Sequence, residues 1–283
     1  MKRIATPIFI HIPQGRCGST LIMKILASSP NVISDNQYPF ENRYLTYLCK
    51  IAKIIDSPPS ENWNNTNLIN INDRTLGPLP YKNISIFNKK TLSDKLSINL
   101  VSTFLKELYH THKPKNEINL FYPEKIPPWN AKYIEKHIRC KNIFMIRDPR
   151  DIFVSIKSFN EKRGFLSFGW QISDTEEAFA LKLCKQFKNY YEWFINTTNK
   201  KDSLHVKYED LVSNNKKEVD RISKWLEIKI NYSQKENLES RHISTKNGTP
   251  QTERWVKELP HKILNIINNE LENEIKTLGY RFQ

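Results

Sequence analysis

Ile8-Phe9-Ile10-His11-Ile12 runs into Pro13-Gln14-Gly15-Arg16-Cys17-Gly18-Ser19-Thr20 and then into Leu21-Ile22-Met23-Lys24-Ile25-Leu26. The first five residues are a short, mostly apolar, β-branched run, the pattern of a strand buried in a parallel sheet. The last six begin a helix that must stop before Pro30, because the residue ahead of a proline is pushed out of the helical region. Between them, small residues let backbone N–H groups converge, and the helix N-terminus adds about half a positive charge, so an anion is welcome there. Ser19 and Thr20 supply hydroxyl donors, and Arg16 a permanent cation with a bidentate fork. The plain alternative is a tight turn with incidental polar residues.

Working outward, strand and helix signals alternate. Asn142-Ile-Phe-Met-Ile146 is the clearest buried strand, Ile118–Tyr122 reads as another, and Leu204, Val206 and Tyr208 alternate like a third. Asn31–Ser34 is a further candidate. Helical spacing marks 40–55, 131–138, 219–226 and 264–278, the last as one helix. Ser93 is expected to cap a helix reaching His110, and Ser173-x-x-Glu176 reads as a capping box opening a helix through Phe194. This rhythm predicts an α/β fold, a central parallel β-sheet flanked by helices. Residues 56–90, with Pro58-Pro59, Pro78, Pro80 and many Asn, read as an irregular excursion. Either it is a surface insertion, or it is a lid or acceptor-binding segment. No repeat or low-complexity linker divides the chain, so 1–283 is expected to form a single domain.

The chain has 283 residues, 39% of them hydrophobic and 11% aromatic, enough to exclude wholesale disorder. No apolar run approaches the roughly 18 residues of a membrane span. The start, Met1-Lys-Arg, precedes an apolar stretch that ends in a glycine turn rather than a small-residue cleavage site. A cytoplasmic protein is expected. The four cysteines (Cys17, Cys49, Cys140, Cys184) lie far apart without zinc spacing, so reduced thiols and no metal site are expected. A net charge of +14 calls for anionic partners. Its spread along the chain, with no basic tail, argues against a dedicated nucleic-acid arm.

A second anion site is indicated by Phe144-Met-Ile-Arg147-Asp148-Pro149-Arg150-Asp151-Ile-Phe-Val-Ser155. A buried strand ends at Arg147, Asp148 is a natural helix cap, and Pro149 fits the first helical position. Ser155 comes round to the same face about two turns later. The carboxyl end of a central strand is where open parallel sheets bind ligands. The bland alternative pairs Arg147 with Asp151 or Asp148 as a surface salt bridge.

Together these stretches resemble the sulfotransferases that use 3′-phosphoadenylyl sulfate (PAPS), in particular their bacterial and carbohydrate-type members. Gly15-Arg16-Cys17-Gly18-Ser19-Thr20 resembles the family's 5′-phosphosulfate loop, and Arg147 with Ser155 its 3′-phosphate motif. Glu124-Lys125-Ile-Pro127 resembles the Glu-Lys-x-Pro segment. Val206-Lys-Tyr208-Glu-Asp-Leu211 is similar to the strand end whose tyrosine faces the nucleotide. Ser244-Thr-Lys246-Asn247-Gly248, followed by Arg254-Trp255, is similar to the late loop that closes over the 3′-phosphate.

The resemblance implies a P-loop nucleoside-triphosphate-hydrolase-like fold and sulfuryl transfer from PAPS to an acceptor hydroxyl by in-line displacement. The acceptor would be a carbohydrate, a lipid-linked compound or a small metabolite. It further implies that Arg16 and the 15–20 backbone hold the phosphosulfate. Lys125 would neutralise charge on the transferring group, and side-chain cations would stand in for a metal. The segment Asp35-Asn-Gln37-Tyr-Pro-Phe-Glu41-Asn-Arg43 resembles one that often reads Glu-x-Pro-x-Glu-x-Arg, with Gln37 where the first Glu would be. Glu41 is therefore the first choice of general base, Asp35 the second, and His110 or His112 the third. An ion pair of Glu41 with Arg43 is the plain alternative. Cys17 is expected to contribute its backbone N–H, while Trp170 and Trp255 could stack on adenine or pack in the core. Two rivals remain. A small-molecule or nucleotide kinase is disfavoured by the missing Gly-Lys-[Ser/Thr] ending, and a basic nucleic-acid-binding protein would show a steep salt dependence.

Overall fold

A computed structural model describes residues 3–35, 37–38, 40–60, 69–70, 75–78, 88–112, 119–197, 201–213, 215–232 and 250–282. In chain order, β1 is Thr6–His11, α1 Ser19–Ala27 and α2 Tyr44–Lys53, followed by a 3₁₀ turn at Ile54–Asp56. Three short strands follow, β2 (Pro59–Ser60), β3 (Ile69–Asn70) and β4 (Thr75–Pro78). Next come α3 (Lys89–His112), β5 (Phe121–Glu124), α4 (Pro128–Glu135), β6 (Lys141–Ile146), α5 (Pro149–Arg163) and α6 (Glu176–Ile195). The chain continues through β7 (Ser203–Lys207), α7 (Tyr208–Ser213), α8 (Asn215–Leu226), α9 (Trp255–Glu258), α10 (His261–Glu270) and α11 (Glu272–Thr277).

The main sheet has four parallel strands in the order β5-β1-β6-β7, flanked by helices. Phe9 of β1 lies opposite Glu124 of β5, and Ile146 of β6 opposite Lys207 of β7. By contact density the chain divides into two compact units. One comprises Met1–Phe9 and Asn42–Cys140, the other Ile10–Glu41 and Lys141–Gln283. In the first, α2 and α3 pack together and the Ser93 hydroxyl donates to Ala52 O at 2.9 Å. The core of the second gathers Phe144, Ile146, Ile152, Phe153, Phe179, Leu183, Phe187, Ile267 and Ile275 between β6, α5, α6 and the C-terminal helices. The Tyr190 hydroxyl lies 3.0 Å from His11 O and 2.8 Å from Met145 O, so α6 is pinned to the ends of two strands. All four cysteines are buried free thiols.

Several local expectations are corrected. Asn31–Ser34 forms no strand, only a single bridge at Val32, because a four-residue apolar signal cannot supply ladder partners. Ser93 lies inside α3 rather than at its start. Asn88 takes the capping position, its Oδ1 accepting from Thr91 N at 2.9 Å. Thr175, not Ser173, caps α6 by accepting from Ala178 N. The apolar repeat over 264–278 is interrupted at Leu271 (φ −121°, ψ 24°), a fully buried residue that leaves helical geometry while keeping its side chain in the core. The 56–90 excursion contains a small sheet of order β2-β4-β3, whose two- to four-residue strands are too short to leave a periodic signal.

Candidate active site

In the second unit, β1 delivers the chain into the loop 12–18, and α1 begins at Ser19 with Gly18 as N-cap. Gly18 is left-handed at φ 86°, and a Cβ there would lie 2.5 Å from the Tyr208 ring. At Gly15 a Cβ would meet the Phe168 ring at 2.1 Å. Both glycines are therefore required by aromatic rings packed on the loop, beyond any need for a ligand to approach its backbone. Gln14 fastens the same contact, its Nε2 donating to Phe168 O at 2.8 Å. Arg16 also takes a left-handed backbone (φ 71°), and its guanidinium lies over Phe159, 4.7 Å from the ring centroid. Its Nε donates to Ser155 Oγ at 3.2 Å. No acidic residue occupies the first turn of α1, which leaves the positive helix end uncompensated. Cys17 is fully buried, and burial pushes its thiol up to about 12, so it is a packing residue rather than a nucleophile.

The 147–155 segment is built as its sequence suggests. Asp148 caps α5, accepting Arg150 N at 2.9 Å, with Pro149 at the first helical position. Arg147 is 4% exposed and pairs with Asp151 as a buried, not a surface, salt bridge. Its guanidinium lies 4.1 Å from the centroid of Tyr208, and its Nη1 donates to Arg16 O at 2.8 Å. Asp151 Oδ2 is 3.7 Å away and equally buried, while Asp148 is engaged by Arg150 through Nε and Nη2 at 2.9 and 2.7 Å. The Arg147 Nε is buried with no hydrogen-bond partner among the described residues.

Cation is thus gathered on cation. Burial is the largest influence on Arg16, and the charges of Arg147 and Arg254 add to it, lowering its pKa to about 10. Arg16 remains charged at neutral pH. Asp151 lies beside Arg147 and Glu258 beside Arg254, so part of this charge is met within the protein, and the remaining excess favours an anion.

In the first unit, β5 ends at Glu124 and Lys125 follows it, partly buried. Glu124 is fully buried and accepts from Leu45 N and Thr46 N, both at 2.8 Å, and from the Thr46 hydroxyl at 2.5 Å. These are the second and third N–H groups of α2, whose own N-cap, Arg43, supplies no side-chain bond. Glu124 therefore serves α2.

The model of the sulfotransferase family matches residues 7–232. The chain belongs to the sulfotransferase family. Among solved structures, the sulfotransferase domain from the curacin biosynthetic pathway aligns with a TM-score of 0.54 at 15% identity, covering 99% of this chain and 100% of that one. The sulfotransferase domain of the Synechococcus PCC 7002 olefin synthase gives 0.47 at 17%, covering 100% and 99%. Mouse sulfotransferase SULT7A1 complexed with PAP gives 0.46 at 13%, covering 95% and 85%. No curated protein matches the chain. The reaction is transfer of a sulfuryl group, and the fold is the P-loop-like one of this family.

The remaining site residues of this sulfotransferase are distributed as follows. Tyr208 opens α7 directly after β7 and lies under Arg147. Glu41 is partly buried in the coil before α2, and Asp35 is exposed. His110 and His112 are exposed in the last turn of α3, where His112 Nδ1 donates to Leu108 O at 3.0 Å. Lys246, Asn247 and Gly248 lie outside the described residues. Trp170 stacks on Phe179 (4.2 Å, 12°), and Trp255 is buried beneath Arg150 at 3.7 Å, so both are packing residues. Sequence reading missed Phe168, whose signal was the aromatic beside Gly169 in a turn with two left-handed residues. It also gave no part to Glu209, which stood inside the quoted Tyr-Glu-Asp-Leu run. Among the described residues no helix is long and apolar enough to cross a membrane, and no cluster of His, Cys, Asp or Glu is arranged to hold a metal.

Proposed function

We propose that the donor is PAPS and that the acceptor is a hydroxyl on a carbohydrate, a lipid-linked compound or a small metabolite. The observation that carries this reading is the coupling of two anion-receptive places in one unit. Arg16 of the first reaches Ser155 of the second, and Arg147 of the second reaches Arg16 O. A nucleotide with a 5′-phosphosulfate and a 3′-phosphate needs such a pair. In this reading Gly15–Thr20 and Arg16 hold the phosphosulfate, Arg147 and Ser155 the 3′-phosphate, and Tyr208 supports the Arg147 guanidinium. The same reading assigns Lys246, Asn247 and Gly248, by their resemblance to the family's late loop, to the 3′-phosphate.

Transfer is an in-line displacement in which the residues position the groups and stabilise charge, much as in phosphoryl transfer. Lys125 neutralises the charge growing on the transferring sulfuryl group or its bridging oxygen. In a parallel sheet the carboxyl ends of the strands form the ligand-binding edge, the place Lys125 takes at the end of β5. Glu41 accepts the acceptor's hydroxyl proton, which a general base must do.

Calorimetry with adenosine 3′,5′-bisphosphate, adenosine 5′-monophosphate and ATP tests the donor assignment. The bisphosphate is expected to bind at least about tenfold more tightly than the monophosphate or ATP, from one added charge-assisted contact. Arg147→Ala and Ser155→Ala are each expected to erode that advantage, the arginine change more. Equal affinity for mono- and bisphosphate would remove Arg147 and Ser155 from the donor site.

A further inference from the structure

The family match ends at residue 232, yet the last described residues reach back to the strand end that carries Arg147. Helix α11 closes in a Schellman turn, with Gly279 left-handed at φ 70°. In it, Tyr280 N donates to Ile275 O at 3.0 Å and Gly279 N to Lys276 O at 2.9 Å. Three anchors hold this turn and the residues around it. Lys207 Nζ donates to Leu278 O, the Tyr280 hydroxyl donates to Glu209 Oε2 at 3.1 Å, and Arg150 Nη2 donates to Arg281 O at 2.7 Å.

Glu209 is the node of this arrangement. Its other oxygen, Oε1, accepts Asp148 N at 3.0 Å. That N–H belongs to the peptide joining Arg147 to Asp148, so holding it fixes the backbone from which the Arg147 side chain departs. Tyr208, the preceding residue, carries the Arg147 guanidinium on its ring. Two consecutive residues of α7 thus grip two consecutive residues after β6, and the C-terminal segment braces the grip from behind.

We propose that Glu209, tethered by Tyr280, is a positioning residue for Arg147, and that the C-terminal segment thereby sets the donor site's preference for a 3′-phosphate. The inference rests on the reading of Arg147 as the 3′-phosphate ligand. A general loss of packing would weaken both ends of the nucleotide alike. A positioning role weakens the 3′ end selectively.

The test is calorimetric titration of the full chain with adenosine 3′,5′-bisphosphate and with adenosine 5′-monophosphate, using wild type, Tyr280→Phe, Glu209→Ala and Glu209→Gln. Losing the tyrosine hydroxyl removes one hydrogen bond and is expected to weaken the bisphosphate about fivefold. Glu209→Ala is expected to weaken it more. The monophosphate should stay within about twofold in both, a change worth well under 1 kcal/mol. Glu209→Gln, whose amide can accept from Asp148 N and donate to the Tyr280 oxygen, should recover most of the affinity. In steady-state transfer the loss should fall on the KM for the donor rather than on kcat. Equal weakening of both nucleotides, or an unchanged preference in Tyr280→Phe, would overturn the positioning role. If Glu209→Ala does not fold, Tyr280→Phe still decides, because it keeps the ring packed against the core. A wild type without preference for the bisphosphate would instead overturn the reading of Arg147 itself.

Discussion

Two strands of the sheet end in a charged pair of opposite signs, and each ending uses its carboxylate in the same way. β5 ends Glu124-Lys125, and Glu124 binds the N–H groups of Leu45 and Thr46 at the start of α2. β6 is followed by Arg147-Asp148, and Asp148 binds Arg150 N at the start of α5. In both, the acid satisfies orphan N–H groups of a helix and meets the positive end of its dipole. The cation is left at the carboxyl end of the strand. The difference lies in reach. Asp148 caps the helix that follows it directly, whereas Glu124 caps one that lies 79 residues earlier in the chain. A second feature belongs to Asp148, which also carries the bidentate Arg150.

The most damaging way to break the comparison is to neutralise each acid without changing its size. Asp148→Asn leaves the fully buried Arg150 facing an amide and is expected to cost about 3–5 kcal/mol, the scale of a buried pair broken from one side. Glu124→Gln keeps one acceptor oxygen but turns an amide N–H₂ toward helix donors. Its expected cost is about 1–3 kcal/mol, that of an unsatisfied buried group. Urea unfolding of the two variants measures the contrast, and equal losses would mean the Arg150 pairing adds nothing to the cap.

Lys125→Ala probes the cations in place of the acids. If Lys125 acts on the transferring group, kcat should fall about 10²–10³-fold, as when one stabilising group is lost from a transition state. Bisphosphate affinity should stay within about threefold, since the interaction is made mainly in the transition state. An Arg147→Ala variant should do the reverse, losing donor affinity first. Transfer kinetics beside calorimetry separate them, and an unchanged kcat would take Lys125 out of the chemistry.

The same comparison explains what could be read without coordinates. Asp148-Pro149 after an apolar run is a local signal, and so was the strand–loop–helix at 8–26, because capping and proline geometry act between adjacent residues. The part Glu124 plays was hidden, since its partners at the start of α2 are far away along the chain. Gly15 and Gly18 were legible as glycines but not for the right reason, as Phe168 and Tyr208 come from distant segments to occupy the space of a Cβ. The break at Leu271 was invisible for a related cause. Apolar spacing continues across it, and only three-dimensional packing shows the change of direction. Glu209 was read as part of a motif, with nothing in the sequence to indicate that a C-terminal tyrosine would reach it.

The smallest expected effect concerns pH, and it belongs to the β6 ending alone. Burial is the largest influence on Glu209 and lifts its pKa from 4.5 to about 7, against the bond from Asp148 N and the charge of Arg147. A carboxyl raised in the folded state stabilises it fully below its unfolded pKa, and this contribution is lost as pH rises through 7. His11 runs the other way. Burial lowers its pKa from 6.5 to about 4, so its contribution is present above 6.5 and fades as pH falls through 4. In the wild-type curve the two trends oppose each other between pH 4.5 and 6.5, which is why a variant is needed. Glu209→Gln removes one of them. Its unfolding free energy relative to wild type should rise by about 2 kcal/mol between pH 5 and 8 and then level off. A flat difference over that range would show that the Glu209 carboxyl titrates as an ordinary one. The charge beside Asp148 would then make the β6 ending no different from that of β5.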